Sequence, residues 1–180
     1  MRELSLHILD IIQNSIAAEA DLIKLNITED YEADKLVVEI IDNGSGMDQA
    51  TQEKVVDPFV TSRTTREVGL GLPLFKEAAE QCGGKFGLES TVGEGTKLQA
   101  IFQHSHIDRA PLGDIIGTII SFLVSNPDLD LVYHHQVDDN EFTFDTREAK
   151  RNLGDLEINS PDVIAWLKKY LTEGLRKIRR

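Results

Sequence analysis

The chain has 180 residues, of which 41% are hydrophobic and 28% charged, and this suits one globular domain or one domain with a small appendage. Its formal net charge of −12 argues against nucleic-acid binding, because an acidic surface repels phosphate. The single cysteine excludes an intramolecular disulfide, residues 1–20 lack a signal-peptide pattern, and the longest apolar run, at 115–124, is too short to span a bilayer. We therefore expect a soluble cytoplasmic protein that does not insert into membranes.

The first half of the chain predicts helices alternating with β-hairpins. The patterns are apolar residues at helical spacing, apolar strands flanked by polar turns, and Asp48 as the N-cap of a short helix that Pro58 would end. In chain order we predict a helix at 4–20, strands at 21–27 and 35–41, a short helix at 48–56, a loop at 57–69, a helix at 70–81, and strands at 85–91 and 96–103.

After the last predicted strand of the first half, a separate block of predicted elements begins, and we place a domain boundary near residue 105. It predicts a helix near 112–125, strands at 130–137 and 141–146, and a final helix that begins at Ser160-Pro161. The predicted fold class is α+β, with a mixed and mainly antiparallel sheet covered by helices on one face. We predict one domain at 1–104 and a small α+β extension at 105–180.

Three polar side chains interrupt the apolar first helix. Asp10 and Asn14 are four residues apart, so they share one helix face, and His7 extends this polar stripe. Neighbouring backbone groups could satisfy all three side chains. Alternatively, the amide oxygen of Asn14 is a suitable Mg²⁺ ligand, and the carboxylate of Asp10 could orient or deprotonate a water molecule.

The sequence also has three glycine clusters, and the first two allow two interpretations each. The strand that ends in "DNGSGM" leads either into a hairpin turn or into a binding loop. In a binding loop the glycines would let the backbone approach a ligand, and the carboxylate of Asp42 would recognise a polar edge of that ligand. Gly69 and Gly71 mark either an ordinary helix start or a phosphate site made by free N–H groups. The third cluster, "VGEGT", is by itself a hairpin turn.

Together and in this order, the N-box "DIIQNSIAA" and the boxes "DNGSGM", "GLGL" and "GEGT" resemble the ATP-binding superfamily of gyrase, heat-shock chaperones, histidine kinases and MutL (GHKL). The resemblance covers about residues 1–104. The N-box is closer to that of MutL, whereas "DPFVTSR" and the segment from "GLGL" onward resemble histidine kinases. The resemblance implies the Bergerat fold, an α/β sandwich that holds ATP under a mobile lid at 57–69.

The resemblance also implies a role for each matching residue. Asp42 would accept a hydrogen bond from the adenine amino group, and Asn14 would bind Mg²⁺ between the phosphates. Asp10 occupies the place of the catalytic Glu of gyrase and MutL, one methylene shorter. The other implied nucleotide-binding residues are Gly44, Gly46 and Met47 beneath the base, Thr96 beside Asp42, Thr61, Ser62 and Arg63 in the lid, and the phosphate-binding backbone of Gly69, Leu70, Gly71 and Leu72.

The functional expectation is an Mg²⁺-dependent protein that binds ATP or ADP. Because the N-box begins almost at Met1, we expect a free-standing domain, either a protein kinase or a slow ATPase acting on a separate protein partner in signalling. The alternative is a weakly catalytic, nucleotide-switched protein-binding module. A homodimer is left open.

Two features of the second half stay outside the resemblance. His104, His106 and Asp108 suggest either a metal site or, with greater weight, a solvated strand end, whereas His134 and His135 should point to opposite faces of a strand. The basic helix "WLKKYLTEGLRKIRR" is either a helix packed on the core with a solvated face or a docking surface for an acidic partner.

Overall fold

The computed structural model describes residues 3–59 and 70–179. Its strands form a single six-stranded sheet in the order β3-β4-β2-β1-β5-β6. Only the β1–β5 pair is parallel, so the sheet is mixed and mainly antiparallel. The strands are β1 (Leu22–Asp30), β2 (Lys35–Asp42), β3 (Lys85–Thr91), β4 (Gly95–Gln103), β5 (Asp130–Val137) and β6 (Asn140–Asp145).

Six helices accompany this sheet in the described part of the chain. They are α1 (Leu4–Ala17), α2 (Gln49–Val55), α3 (Gly71–Gln81), α4 (Ile115–Ser125), α5 (Thr146–Leu153) and α6 (Pro161–Ile178). Helix α1 contacts α3 and α4, and α6 packs against α4, β5 and β6. None of the helices within 3–59 and 70–179 is both long and apolar enough to cross a bilayer.

Alternation along the strands separates a buried face of the sheet from a solvated one. In β1 the side chains of Ile23, Leu25 and Ile27 are fully buried, whereas Lys24 between them is exposed. On the solvated face Glu39 accepts hydrogen bonds from neighbouring strands and pairs with Lys97 at 3.2 Å. This pattern is that of an antiparallel sheet with one covered face, which confirms the predicted fold class.

The first helix ends earlier than its apolar pattern predicts. Helix α1 stops at Ala17 instead of residue 20, and Glu19 has a φ of 60°. A left-handed residue cannot continue an α-helix, so the chain turns there and Ala20 is buried before β1 begins. The turn places the carbonyl of Ala18 where it accepts a hydrogen bond from the N–H of Ser45, at 2.8 Å.

Residues beyond 105 extend the sheet of the first half. Strand β5 lies directly beside β1, with Leu25 opposite Tyr133, and one hydrophobic core includes buried residues from both halves. The boundary at residue 105 stays a prediction, because shared sheet and core do not by themselves define or exclude a domain division. Helix α5, which the sequence analysis did not predict, follows β6 directly and begins at the N-cap Asp145, which accepts from the N–H of Arg147.

Candidate functional site

A cavity of about 570 Å³ opens between α1, the end of β2 and the start of α3. Most of its walls are apolar, and among the described residues that line it Asp42 is the only one with a charge. Six predicted site residues line it: Asn14, Asp42, Gly46, Met47, Leu72 and Thr96. The residues that sequence reasoning did not select are Ile11, Ser15, Ala17, Ala18, Ile40, Ser45, Thr51, Leu88 and Leu98.

Two hydrogen bonds hold the carboxylate of Asp42. The hydroxyl of buried Ser15 donates to its Oδ2 at 2.6 Å, and the N–H of Gly44 donates to its Oδ1 at 2.9 Å. One bond comes from α1 and the other from the loop after β2, so both torsions of the carboxylate are fixed. A carboxylate held in this way still has free lone pairs, and it presents them to the cavity as acceptors.

Thr96 joins the same wall through strand pairing. It lies opposite Asp42 in the β2–β4 register, and its Oγ1 is 2.8 Å from the Oγ of Ser90. Ser90 also accepts from the N–H of Met47 at 2.8 Å and is 2.9 Å from the carbonyl of Gly95, to which it can donate. Ser90 therefore connects the first glycine box to the β3–β4 hairpin. Sequence reasoning missed this residue, because a Ser in an edge strand carries no distinguishing signal.

Close backbone approach explains Gly44 and Gly46 of the first box and Gly95 of the third. A Cβ on Gly44 would lie 2.7 Å from the carbonyl oxygen of Ala18. Gly46 has a φ of 69°, and a Cβ there would collide with the backbone of Thr91; Gly95, with a φ of 113°, lies equally close to the backbone of Asp42. The N–H of Gly93 donates to the carbonyl of Ser45 at 2.7 Å. "DNGSGM" is thus a loop clamped between α1 and a hairpin.

The second glycine box begins α3 beside the polar side of α1. Gly71 is the first residue of α3, and a Cβ added to it would lie 3.0 Å from the Cβ of Asp10. Among the described residues no side chain caps this helix start, and Pro73 has no N–H, so Gly71 and Leu72 supply the amides of its first turn. Leu70, the N-cap, is about half exposed.

Asp10 lies outside the cavity walls, and the structure brings it to Gly71 rather than to Asp42. His7, one turn before Asp10, stacks on Phe75 of α3 at 5.4 Å, and its Nδ1 is buried without a hydrogen-bond partner in the described residues. Burial lowers the pKa of His7 to about 4, so the ring is neutral at neutral pH and packs between α1 and α3.

The remaining predicted site residues are Thr61, Ser62, Arg63 and Gly69, which lie outside the described residues together with most of the predicted lid. Of the histidines beyond the resemblance, His104 is only slightly exposed and contacts Glu29 at 3.1 Å, so the expected solvated strand end does not describe it. His134 and His135 point to opposite faces, as predicted. Within the described part of the chain no three His, Cys, Asp or Glu side chains form a candidate metal site.

The family model of the histidine kinase-, DNA gyrase B- and HSP90-like ATPases matches residues 2–106, more than half of the chain. The chain belongs to this family. That confirms the resemblance drawn from the N-box and the three glycine boxes.

Several similar curated proteins have names that describe sensor proteins or kinases. The chain is 31% identical over 97 residues to a putative sensor protein of Shewanella frigidimarina, covering 53% of this chain and 15% of that protein. It is 31% identical over 124 residues to the sensor kinase CckA of Brucella abortus, covering 61% and 13%. It is 32% identical over 91 residues to sporulation kinase D of Bacillus subtilis, covering 51% of this chain and 18% of that protein. The matches thus span less than a fifth of each of these relatives.

The solved structures show the same fold at low sequence identity. The N-terminal domain of a DNA repair protein matches with a TM-score of 0.54 and 16% identity, over 79% of this chain and 52% of that one. The MutL ATPase domain of Aquifex aeolicus, solved with ADP, matches with a TM-score of 0.51 and 13% identity, over 75% and 60%. Both matches extend beyond the 58% of the chain in the family match, so the fold likeness includes part of the second half.

Proposed function

We propose that the chain is an Mg²⁺-dependent ATP-binding protein that acts, as a protein kinase or slow ATPase, on a separate protein in regulation or signalling. One observation carries the nucleotide assignment: Asp42 is the only charge among the described residues that line an apolar cavity, and Ser15 and Gly44 fix its orientation. An aromatic base with an exocyclic amine complements an apolar slot with a single anionic acceptor.

The base would lie between Met47 and the apolar side chains of Ile40 and Leu98. Its amino group would donate to Asp42, and the hydroxyl of Thr96 is near enough in the sheet register to share that edge. A guanine would present a carbonyl oxygen at the same place, and an ionised Asp42 would repel it. The proposed site therefore selects adenine.

The phosphates would extend toward the start of α3. The first-turn amides of Gly71 and Leu72 at a helix N-terminus suit phosphate oxygens, and Asn14 would supply an amide oxygen for Mg²⁺. Bound Mg²⁺ would neutralise phosphate charge, which matters because the described cavity walls contain no cation. Thr61, Ser62, Arg63, Gly69 and Leu70 complete the proposed phosphate region.

In the transfer step, a hydroxyl or imidazole of a partner, or a water molecule, would attack the γ-phosphorus. The bond from that phosphorus to the β–γ bridging oxygen would break, ADP would leave, and Asp10 would accept the proton of the nucleophile. The position of Asp10 against Gly71 supports this role, because it adjoins the amides assigned to the phosphates. The similarity to proteins named as sensor and sporulation kinases supports phosphoryl transfer, and the MutL domain with ADP supports an adenine nucleotide.

The placement of Asp10 outside the cavity walls also favours a second candidate, the nucleotide-switched protein-binding module. In that case nucleotide binding would order the region around α3 for a partner, without efficient transfer. Turnover separates the two functions. A positioned base contributes about 10²–10⁴-fold, so Asp10→Asn should reduce turnover of labelled ATP by that factor with affinity unchanged. Turnover that is absent would assign the protein to the binding class, and turnover that is identical in the variant would show that Asp10 is not the base.

Calorimetry with ATP, ADP and GTP tests the nucleotide assignment. Asp42→Asn places an amide where the anionic acceptor stood, and we expect adenine-nucleotide affinity to fall at least about 100-fold because a buried polar pairing is lost. Asp48→Asn is the matched control, since Asp48 only caps α2 through Thr51 and Asn caps a helix equally well. Equal affinity of the Asp42→Asn variant for ATP would refute the adenine site.

A further inference from the structure

The outer face of α6 carries an unusual pair of aromatic side chains. Trp166, the only tryptophan in the chain, is 57% exposed, and Tyr170 is 41% exposed one turn later. Their rings stack at 5.3 Å with an angle of 13°. Tyr170 also contacts the rings of Phe142 and Phe144, so β6 supports the pair from below. Rigid aromatic surface presented to solvent is typical of binding sites, because little side-chain entropy is lost on contact.

The aromatic pair belongs to a continuous exposed stripe along the helix. The opposite face of α6 is buried through Val163, Leu167, Leu171 and Leu175. We call the exposed residues at spacings of three and four the Trp166 stripe; they are Asp162, Trp166, Lys169, Tyr170, Glu173 and Lys177. All six are exposed, and their charges are two acidic and two basic.

The charges of the Trp166 stripe can pair with those of a second copy of the same stripe that runs antiparallel to it. If a second copy of α6 lies antiparallel, with the two-fold axis between positions 169 and 170, Asp162 meets Lys177 of the other copy at both ends. In the middle, Lys169 faces the ring of Tyr170 of the other copy, which is a cation–π arrangement. Trp166 then covers the aliphatic part of Glu173. Each contact occurs twice, as an isologous interface requires.

We propose that the Trp166 stripe is the contact surface of an antiparallel homodimer of this chain. An acidic partner fits less well, because it would face Asp162 and Glu173 in the stripe and Asp145 and Glu148 in the cavity of about 440 Å³ beside Trp166. The 18 residues of α6 span about 27 Å. A helix-pair contact of that length is near the lower limit of about 1,200 Å² for specific interfaces, so we expect a dissociation constant of about 1–100 μM.

Sedimentation velocity of the full chain, at concentrations across that range, tests the dimer. The wild-type protein should shift from monomer to dimer, and its tryptophan emission should shift to shorter wavelength as Trp166 becomes covered. Trp166→Ala and Lys177→Glu should each weaken the dimer at least about tenfold, by loss of the aromatic contact and by opposition of like charges. Lys168→Glu is the matched control, because Lys168 is exposed on the same helix but lies off the stripe.

A charge exchange tests the antiparallel register itself. The double variant Asp162→Lys with Lys177→Glu restores opposite charges at both ends and should dimerise better than Lys177→Glu alone. Circular dichroism of each variant checks that the helix is retained. A wild-type protein that stays monomeric through the range overturns the proposal. A dimer that is indifferent to Trp166→Ala and Lys177→Glu, or one that the double exchange does not restore, overturns it equally.

Discussion

At the scale of single residues, Ser15 has a larger role than its neighbours on α1 suggest. It is buried, it follows the proposed Mg²⁺ ligand Asn14, and its hydroxyl donates to Asp42 at 2.6 Å. A hydroxyl in a helix can instead bond to the carbonyl four residues earlier, and the carbonyl of Ile11 lies at 3.4 Å. The much shorter distance to Asp42 shows which partner dominates. Ser15 therefore connects the helix that would hold Mg²⁺ to the strand end that would hold the base.

We predict that Ser15→Ala weakens ATP binding without unfolding the protein. Hydrogen bonds to charged groups contribute about 1.5–3 kcal/mol, and part of that is the orientation of Asp42, so we expect about tenfold weaker binding. Ser45→Ala is a suitable control, because Ser45 also lines the cavity but, within the described residues, bonds through its backbone only. Titration calorimetry measures both affinities. Equal losses in the two variants would contradict the special role of Ser15.

At the scale of elements, the boxes that carried the resemblance were predictable because their chemistry is local. Gly44, Gly46 and Gly95 lie at turns where a close backbone approach or a positive φ requires glycine, and the sequence shows this requirement directly. The partners of these loops were not predictable. Ser90 accepts a hydrogen bond from the N–H of Met47, and Gln52 donates to the carbonyls of Met47 and Ser90. No pattern in the sequence indicates these contacts.

The second half of the chain shows the same limit for whole elements. Its strands β5 and β6 were predicted from alternation, but no local pattern indicates that β5 pairs in parallel with β1, more than a hundred residues earlier. Helix α5 was missed because "TREAKRNL" is short and has only two apolar residues; it is anchored by its cap Asp145 and by Lys150, which donates to the carbonyl of Leu129 at 2.8 Å. Long-range pairing and capping decide what local patterns leave open.

Two glycines make a matched test of the loop clamp. Gly46→Ala forces a Cβ into the backbone of Thr91 at a positive φ, and we expect the free energy of unfolding to fall by about 1–3 kcal/mol, with loss of nucleotide binding. Gly87→Ala places a Cβ in open space on the edge strand β3 at an ordinary φ, and it should be neutral or slightly stabilising. Urea denaturation measures both. A Gly46→Ala variant as stable as the Gly87→Ala variant would show that the loop can relax.

At the scale of the whole molecule, buried Glu29 joins elements that are distant in the sequence. From β1 it contacts Nε2 of His135 in β5 at 2.8 Å, Nε2 of His104 after β4 at 3.1 Å, and Arg179 after α6 at 3.3 Å. Burial raises the pKa of Tyr133, so its phenol stays protonated, and the phenol oxygen lies 2.6 Å from Nδ1 of His135. An ionised Glu29 only accepts, so Nε2 of His135 carries the proton between them. This network lies at the end of the sheet opposite Asp42.

Its electrostatics predict how stability depends on pH. Burial alone would raise the pKa of Glu29, but the hydrogen bonds from His135 and His104 and the charges of His135 and Arg179 outweigh it and lower the pKa from 4.5 to about 2. Because the folded value lies below the unfolded one, the stabilisation by Glu29 is fully present above pH 4.5 and is lost as the pH falls from 4.5 toward 2. Acid should therefore loosen the contacts that connect β5 and α6 to β1.

We predict that Glu29→Gln lowers the free energy of unfolding at neutral pH by about 3 kcal/mol, because it removes the anion from a buried charged network. The deficit relative to wild type should shrink as the pH falls from 4.5 toward 2, where wild type loses its own Glu29 contribution. Urea denaturation followed by circular dichroism, repeated across that pH range, measures the two curves. Glu32→Gln serves as the control, because Glu32 is exposed at the β1–β2 turn and its removal should leave the wild-type curve nearly unchanged. If the Glu29→Gln and wild-type curves stay parallel down to pH 2, the network does not hold the ionised carboxylate, and burial rather than charge must join the two halves of the sheet.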